Sequence, residues 1–214
     1  MPGLGVCGGN ATRGVEVPQG DWVVIQRHGD EYALPHQIDH AANMHALAEA
    51  GCDRIVGIGS VGGLRRELGP GTFLCPHDFV ALGRTPTTRG DQSAHLVPGF
   101  DLGWRRLVLE RWREVSDIPM EDGGIYWQSA GPRLETVAEI GLISRHADVI
   151  GMTIGSESVV ALELGLRYAA ICVVDNLANG IAERELTLAE LESARAENQR
   201  RLVSTLDVVL PALA

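Results

Sequence analysis

Short apolar runs rich in β-branched residues alternate along this chain with longer runs whose apolar positions recur every three to four residues. Such alternation predicts an α/β architecture, one sheet with helices on both faces, because each element must bury one side against the other kind. The spans 22–26 (WVVIQ), 54–59 (RIVGIG), 72–82 (TFLCPHDFVAL), 124–130 (GIYWQSA), 148–153 (DVIGMT) and 168–175 (YAAICVVD) predict strands. The spans 36–50, 103–115, 134–146, 156–165 and 187–209 predict helices. In the last of these, Thr187-x-x-Glu190 reads as a capping box, and Leu191, Ala194, Leu202, Leu206 and Val209 form a helical stripe. No repeat, linker or low-complexity tract divides the chain, so residues 1–214 are expected to be a single domain. The long polar stretch 84–100 (RTPTTRGDQSAHLVPGF) reads as a loop, mobile over a site.

Charge narrows the functions open to such a fold. The net charge of −10 argues against a nucleic-acid surface or an anionic membrane, so an anionic ligand requires a local positive pocket. All 18 basic residues are arginine, which excludes a Walker phosphate loop and a Schiff-base mechanism, since both need a lysine amine. The four cysteines, Cys7, Cys52, Cys75 and Cys172, lack C-x-x-C spacing and read as buried free thiols. The seven histidines show no zinc-type spacing, and neither a metal nor an organic cofactor is expected. The start, MPGLGVCGGN, lacks the basic head and apolar core of a secretory signal, and no apolar run approaches membrane-spanning length. A cytoplasmic location is the expectation.

Five short blocks could carry chemistry, all at predicted strand ends. Arg27 and His28 follow a strand directly, with Gly29 allowing a turn; they suit an oxyanion or are a surface pair. The strand 54–59 ends in Ser60-Val61-Gly62-Gly63, where backbone N–H groups and a hydroxyl can approach an anion or sugar, or simply turn. Met152 and Thr153 stand at a helix mouth and read as a ligand wall with a donor hydroxyl and amide, or as a core methionine and an N-cap. A buried strand ends in Asp175-Asn176; the amide can donate and accept at once, gripping a heteroaromatic edge, or Asn176 is a turn residue. In SAGPRLETVAEIGLI, Glu135 sits before a helix and either complements its N-terminus or faces a ligand.

Taken together, RHG…LPHQIDHAANMHAL, GSVGGLR, AGPRLETVAEI, VIGMT…E and VVDNLANGI resemble, in order, the signatures of the trimeric purine nucleoside phosphorylase and methylthioadenosine phosphorylase family, over about Trp22 to Gly180. The resemblance implies a nucleoside phosphorylase-like mixed sheet flanked by helices. It also implies cleavage of a purine nucleoside's N-glycosidic bond with inorganic phosphate as co-substrate. Arg27, His28, Ser60 and Thr153 match phosphate ligands, with His28 counted among the catalytic residues. Met152 matches the residue under the ribose, and Leu134 would make an aliphatic wall against the base. Glu135 matches the glutamate that accepts purine N1–H, and Asn176, beside Asp175, matches the asparagine that holds N7 and O6. The adenine-preferring branch has a second aspartate where this chain has Ala178, so the resemblance favours 6-oxopurines: inosine, guanosine or methylthioinosine. Members are homotrimers in which a neighbour completes the nucleoside pocket.

The chain departs from the pattern at its start. Relatives open with a Gly-rich phosphate loop followed by a long stretch, whereas here Arg27 comes only 18 residues after Gly9, and Gly8-Gly9-Asn10 is a remnant or a coincidence. Asp30 and Glu31 stand where relatives carry Arg or His, and acids near a dianion weaken its binding. Two alternatives therefore stand beside the phosphorylase: a nucleosidase using water, with Asp175 as acid at N7, and a non-catalytic nucleoside-binding relative. The 5′ substituent of the substrate is not readable; the 84–100 loop and the region after Gly180 are expected to border it.

Overall fold

The computed structural model describes residues 3–9, 22–29, 31–182 and 188–214, with side chains in the last helix from residue 196 onward. Asn10, Asp30, Thr187 and the side chains of Glu190, Leu191 and Ala194 lie outside the described residues.

Among the described residues nine strands form one sheet: β1 (Leu4–Gly8), β2 (Trp22–Gln26), β3 (Arg54–Gly63), β4 (Phe73–Cys75), β5 (Asp78–Val80), β6 (Met120–Asp122), β7 (Ile125–Gln128), β8 (Val149–Gly151) and β9 (Arg167–Leu177). The helices are α1 (His40–Glu49), α2 (Leu102–Val115), α3 (Val137–Ile143), α4 (Ile154–Glu163) and α5 (Leu188–Leu213). The main path runs β5-β7-β8-β3-β9-β4-β6, with β1 pairing β3 and β2 pairing β1. The spine is the parallel pair β3–β9, and β1 and β2 extend it in the same direction.

Strand periodicity sorts the core into two layers. Along β9, Ala169, Ile171 and Val173 face a cluster with Trp104, Trp112, Leu202 and Leu206 of α2 and α5. The intervening Tyr168, Ala170, Cys172 and Val174 face a second cluster with Met44 and Leu47 of α1 and Ile154 and Val160 of α4. Burial on both faces explains the nearly unbroken apolar run of this strand. The four cysteines are free and buried, as their surroundings in the sequence predict.

The differences from expectation have local causes. The span 72–82 is two strands, because Pro76 lacks the N–H a ladder needs; β4 lies beside β9, and β5 lies beside β7. The span 36–50 is a 3-10 turn at Pro35–Gln37 followed by α1, whose N-cap Asp39 accepts from Ala42 N at 2.8 Å. Strands β1 and β6 had no counterpart in the sequence reading. The sheet is mixed, as the family resemblance implies: β8 runs antiparallel to β3, with Gly62 opposite Ile150 and Gly63 opposite Val149.

The 84–100 stretch is a loop, as expected, broken by one 3-10 turn at Gln92–Ala94, and it is tied down. Thr87 and Thr88 hydroxyls and the Thr88 amide donate to the Glu163 carboxylate at 2.6–2.8 Å, and Arg89 donates to the Glu163 carbonyl. Glu163 ends α4, so the loop is fastened to the helix that follows Thr153. No helix among the described residues is long and apolar enough to cross a membrane.

Candidate active site

The residues singled out from the sequence converge. Arg27, His28, Ser60, Met152, Thr153, Leu134, Glu135, Asp175 and Asn176 all border one cavity of about 440 Å³. They arrive from different elements: the turn after β2, the last half of β3, the turn between β8 and α4, the approach to α3, and the end of β9. The antiparallel β8 contributes because its continuation past Gly151 runs back alongside the Ser60 end of β3.

A bulge shapes the β9 end. The β3–β9 register pairs Val61 with Val174 and then Gly62 with Asn176, which leaves Asp175 unopposed. In a regular strand Asp175 and Asn176 would point to opposite faces; the extra residue lets both reach the cavity. The Asp175 carboxylate is buried, accepting from the Ser60 hydroxyl and from Asn198 Nδ2 of α5 at 3.1 Å. Asn198 also donates to Val174 O at 3.0 Å, so α5 braces the bulge. The Ser60 hydroxyl, on the cavity wall, is directed at this carboxylate.

On the opposite wall, the local question posed by Glu135 has a definite answer. The carboxylate that complements the α3 start is Glu139: Thr136 and Glu139 make the capping box, and Arg133 donates to both Glu139 oxygens at 2.7 and 2.8 Å. Arg133 and the capping bond together hold the Glu139 carboxyl down at about 2. Glu135 is left to the cavity. Ser129 Oγ donates to its Oε1, and Asn179 Nδ2 donates to its carbonyl at 2.7 Å. Asn176 donates once, to Leu177 O at 2.8 Å, so a second amide hydrogen and the amide oxygen remain to serve a ligand. Leu134, in the cavity lining, is 63% exposed.

At the floor, Thr153 stands in the N-cap place of α4 without making a side-chain cap. Its amide donates to Tyr126 Oη at 3.1 Å and is thereby engaged away from any ligand. His28 bonds through Nδ1 to Ala33 O at 2.7 Å; a carbonyl only accepts, so the Nδ1 proton is fixed. The Tyr32 ring stacks on His28 with centroids 4.7 Å apart. Arg27 is buried and faces mostly inward, toward Glu157 and two backbone carbonyls. It is thus a buried guanidinium that also borders the cavity. Glu31, one of the two acids after the R-H-G block, is exposed. Among the described residues no group of His, Cys, Asp and Glu could hold a metal ion.

The sequence profile of the Phosphorylase superfamily matches residues 4–210. The chain belongs to the phosphorylase superfamily. A protein of Archaeoglobus fulgidus named a probable 6-oxopurine nucleoside phosphorylase is 42% identical over 188 residues, spanning 87% of this chain and 77% of that protein. A Pseudomonas syringae pv. tomato protein named a probable S-methyl-5′-thioinosine phosphorylase is 36% identical over 211 residues, spanning 92% of this chain and 85% of that one. The solved methylthioadenosine phosphorylase of Schistosoma mansoni in its apo form superposes with a TM-score of 0.79 at 21% identity, covering all of this chain and 90% of that one; at that identity the likeness speaks for the fold.

Within this superfamily member, several cavity or supporting residues escaped the sequence reading. Tyr32 and Gln199 border the cavity, and Asn198, Tyr168 and Glu157 stand behind it. Glu157 left one sequence signal, an acid inside the otherwise small and apolar run IGSESVVAL. A second cavity of about 800 Å³, bordered by Thr85 and Pro86 of the 84–100 stretch, shares Pro35, Glu135 and Met152 with the first.

Proposed function

We propose that this chain cleaves the N-glycosidic bond of 6-oxopurine nucleosides (inosine, guanosine or 5′-methylthioinosine) with inorganic phosphate, giving free base and ribose 1-phosphate or its methylthio analogue. The observation that carries this reading is the shared cavity. A carboxylate and an amide, Glu135 and Asn176, stand on its walls, with Arg27, His28, Ser60 and Thr153 beneath. The relatives' names point to the same substrate class.

The chemistry follows from where charge develops. As the C1′–N9 bond breaks, the ribose becomes positive and the base negative. Phosphate under the sugar stabilises the first and bonds to C1′ through one oxygen, while the base leaves with the bond's electron pair and takes a proton from solvent. The Asn176 amide donates to N7 and steadies the departing base, and Glu135 accepts N1–H, which a 6-oxopurine has and adenine lacks. Thr153 and His28 complete the phosphate site, and Met152 lies under the ribose. Ala178, on the cavity wall at the position where an acid would serve an aminopurine, offers no proton. The second cavity takes the 5′ substituent.

The test is inosine with and without phosphate, following hypoxanthine and ribose 1-phosphate. Both products appearing only with phosphate is the expected outcome. Hypoxanthine released equally without phosphate would identify a water-using nucleosidase, and binding without product a non-catalytic relative. We also place a neighbouring copy of the chain over the apolar residues around the two cavities, Leu82, Leu134 and Leu142, exposed at 79%, 63% and 61%, in a homotrimer. Light scattering should return three times the 23.0 kDa chain mass, and a monomer mass refutes the trimer.

A further inference from the structure

Four parts of the chain bring a group toward one buried carboxylate: β1, the turn after β2, α1 and β9. Glu157, in the first turn of α4, is fully buried, and Arg27 is 5% exposed. Glu157 Oε1 accepts from Arg27 Nε at 2.5 Å and from Cys7 Sγ of β1 at 3.4 Å. Glu157 Oε2 accepts from Arg27 Nη2 at 3.0 Å and from Tyr168 Oη of β9 at 2.6 Å. His40 of α1 brings Nδ1 to 3.9 Å from Oε1. Strand β3 takes part through Ile58 O, which accepts from Arg27 Nη1 at 2.6 Å, and through Gly57. A Cβ at Gly57 would lie 1.7 Å from the Tyr168 hydroxyl, so only glycine lets that hydroxyl reach Glu157.

The hydrogen count on Arg27 is informative. A guanidinium has five N–H hydrogens. Nε gives its one to Glu157, Nη2 gives its two to Glu157 and Cys7 O, and Nη1 gives one to Ile58 O. One remains, on Nη1. That nitrogen lies near the Gly9 wall of the cavity, 3.7 Å from where a Gly9 Cβ would be.

Stability alone does not account for the arrangement. Removing a guanidinium and a carboxylate from water is costly, and well-packed apolar residues often replace a buried ion pair without loss. What the pair supplies is direction: a long, rotatable side chain is held so that one donor faces one place.

We propose that Glu157 is the positioning residue of the anion site: with Tyr168 it clamps Arg27 so that its last Nη1 hydrogen meets an oxygen of the attacking phosphate. The inference rests on the phosphorolytic reading above and names how that site is built. Glu157 itself touches no substrate. In the clamp its negative charge offsets that of Arg27, so the site recognises phosphate by donor placement more than by net positive charge.

The experiment is steady-state kinetics of Glu157→Gln and Tyr168→Phe, with inosine and phosphate varied separately. Glutamine is isosteric with glutamate but sets an N–H₂ against Arg27 or Tyr168, so the clamp loosens. The expected result for Glu157→Gln is a phosphate KM raised about tenfold or more, because small misplacement of a binding group costs that much, while the inosine KM stays within about threefold. Tyr168→Phe removes one of the four hydrogen bonds to Glu157 and should raise the phosphate KM in the same direction by less. A folded Glu157→Gln whose phosphate KM is unchanged or lower overturns the proposal, as does a rise shared equally by both substrates. Should too little Glu157→Gln fold for assay, Tyr168→Phe decides alone, and an unchanged phosphate KM there overturns it. Failure of the phosphorolytic reading is seen separately, as a wild-type protein that releases hypoxanthine without phosphate; failure of the Glu157 assignment leaves the wild type phosphate-dependent.

Discussion

At the scale of single residues, the sharpest expectation concerns Asn176. Its amide sits on the cavity wall with one hydrogen engaged by Leu177 O and the rest available to a base edge. Losing a donor aimed at developing charge typically costs about a hundredfold or more in rate, so Asn176→Ala should reduce kcat for inosine by about that factor. Its melting temperature should move little, because Asn176 is only partly buried. Turnover within about threefold of wild type would remove Asn176 from the mechanism. Much at this scale was legible: polar residues placed directly after apolar runs, such as Arg27-His28 and Asp175-Asn176, announce strand ends that border the cavity. What was not legible is which acid does what. Glu135 and Glu139 both stand near the start of α3, and only the capping geometry shows that Glu139 serves the helix while Glu135 faces the cavity. Glu157 and Glu163 lie six positions apart in one helix, yet one holds a guanidinium in the core and the other holds a loop. Partners 130 positions apart in the chain leave no local trace of that difference.

At the scale of elements, hydrophobic periodicity located those long enough to show it. The helices α2, α4 and α5 and the strands β3 and β9 all fall within a few residues of their expected spans. The elements missed are those where periodicity fails. Strand β1, LGVCG, is completely buried and carries two glycines, so it shows no alternation; Gly5 packs where a Cβ would lie 2.7 Å from Ile55. Strand β6 has three residues, too few for a pattern. The antiparallel entry of β8 is set by the length of β3, whose last residues Gly62 and Gly63 extend past the expected end to receive it. The bulge at Asp175 is likewise a property of a pair of strands, and no reading of one strand reveals it.

Across the whole molecule, the site's buried charges should appear in the acid stability of the fold, in two separate pH windows. Burial pushes the His40 pKa below its ordinary value; Glu157 opposes that shift and Arg27 adds to it, with Asp39 and His28 acting more weakly. A histidine held neutral in the native state takes a proton more readily when unfolded, so stability falls as pH drops through about 6.5. His40 Nδ1 is buried without a hydrogen-bond partner, so the native state also lacks a ready acceptor for that proton. Burial alone would raise the Glu157 carboxyl, but the charge and hydrogen bonds of Arg27 outweigh it, and the pKa lies below the usual carboxylate value. Its contribution is present above the unfolded-state value of about 4.3 and is lost only as pH falls through the lower native one. Urea midpoints measured from pH 8 to pH 3 should therefore decline first as pH falls through about 6.5 and again below about 4. His40→Phe removes the first titration and leaves Glu157 paired with Arg27, so its curve should be flatter than wild type in the upper window and parallel to it in the lower. Parallel curves throughout would mean that His40 accepts its proton in the fold as easily as in the unfolded chain. That result would contradict the burial of this ring beside the clamp.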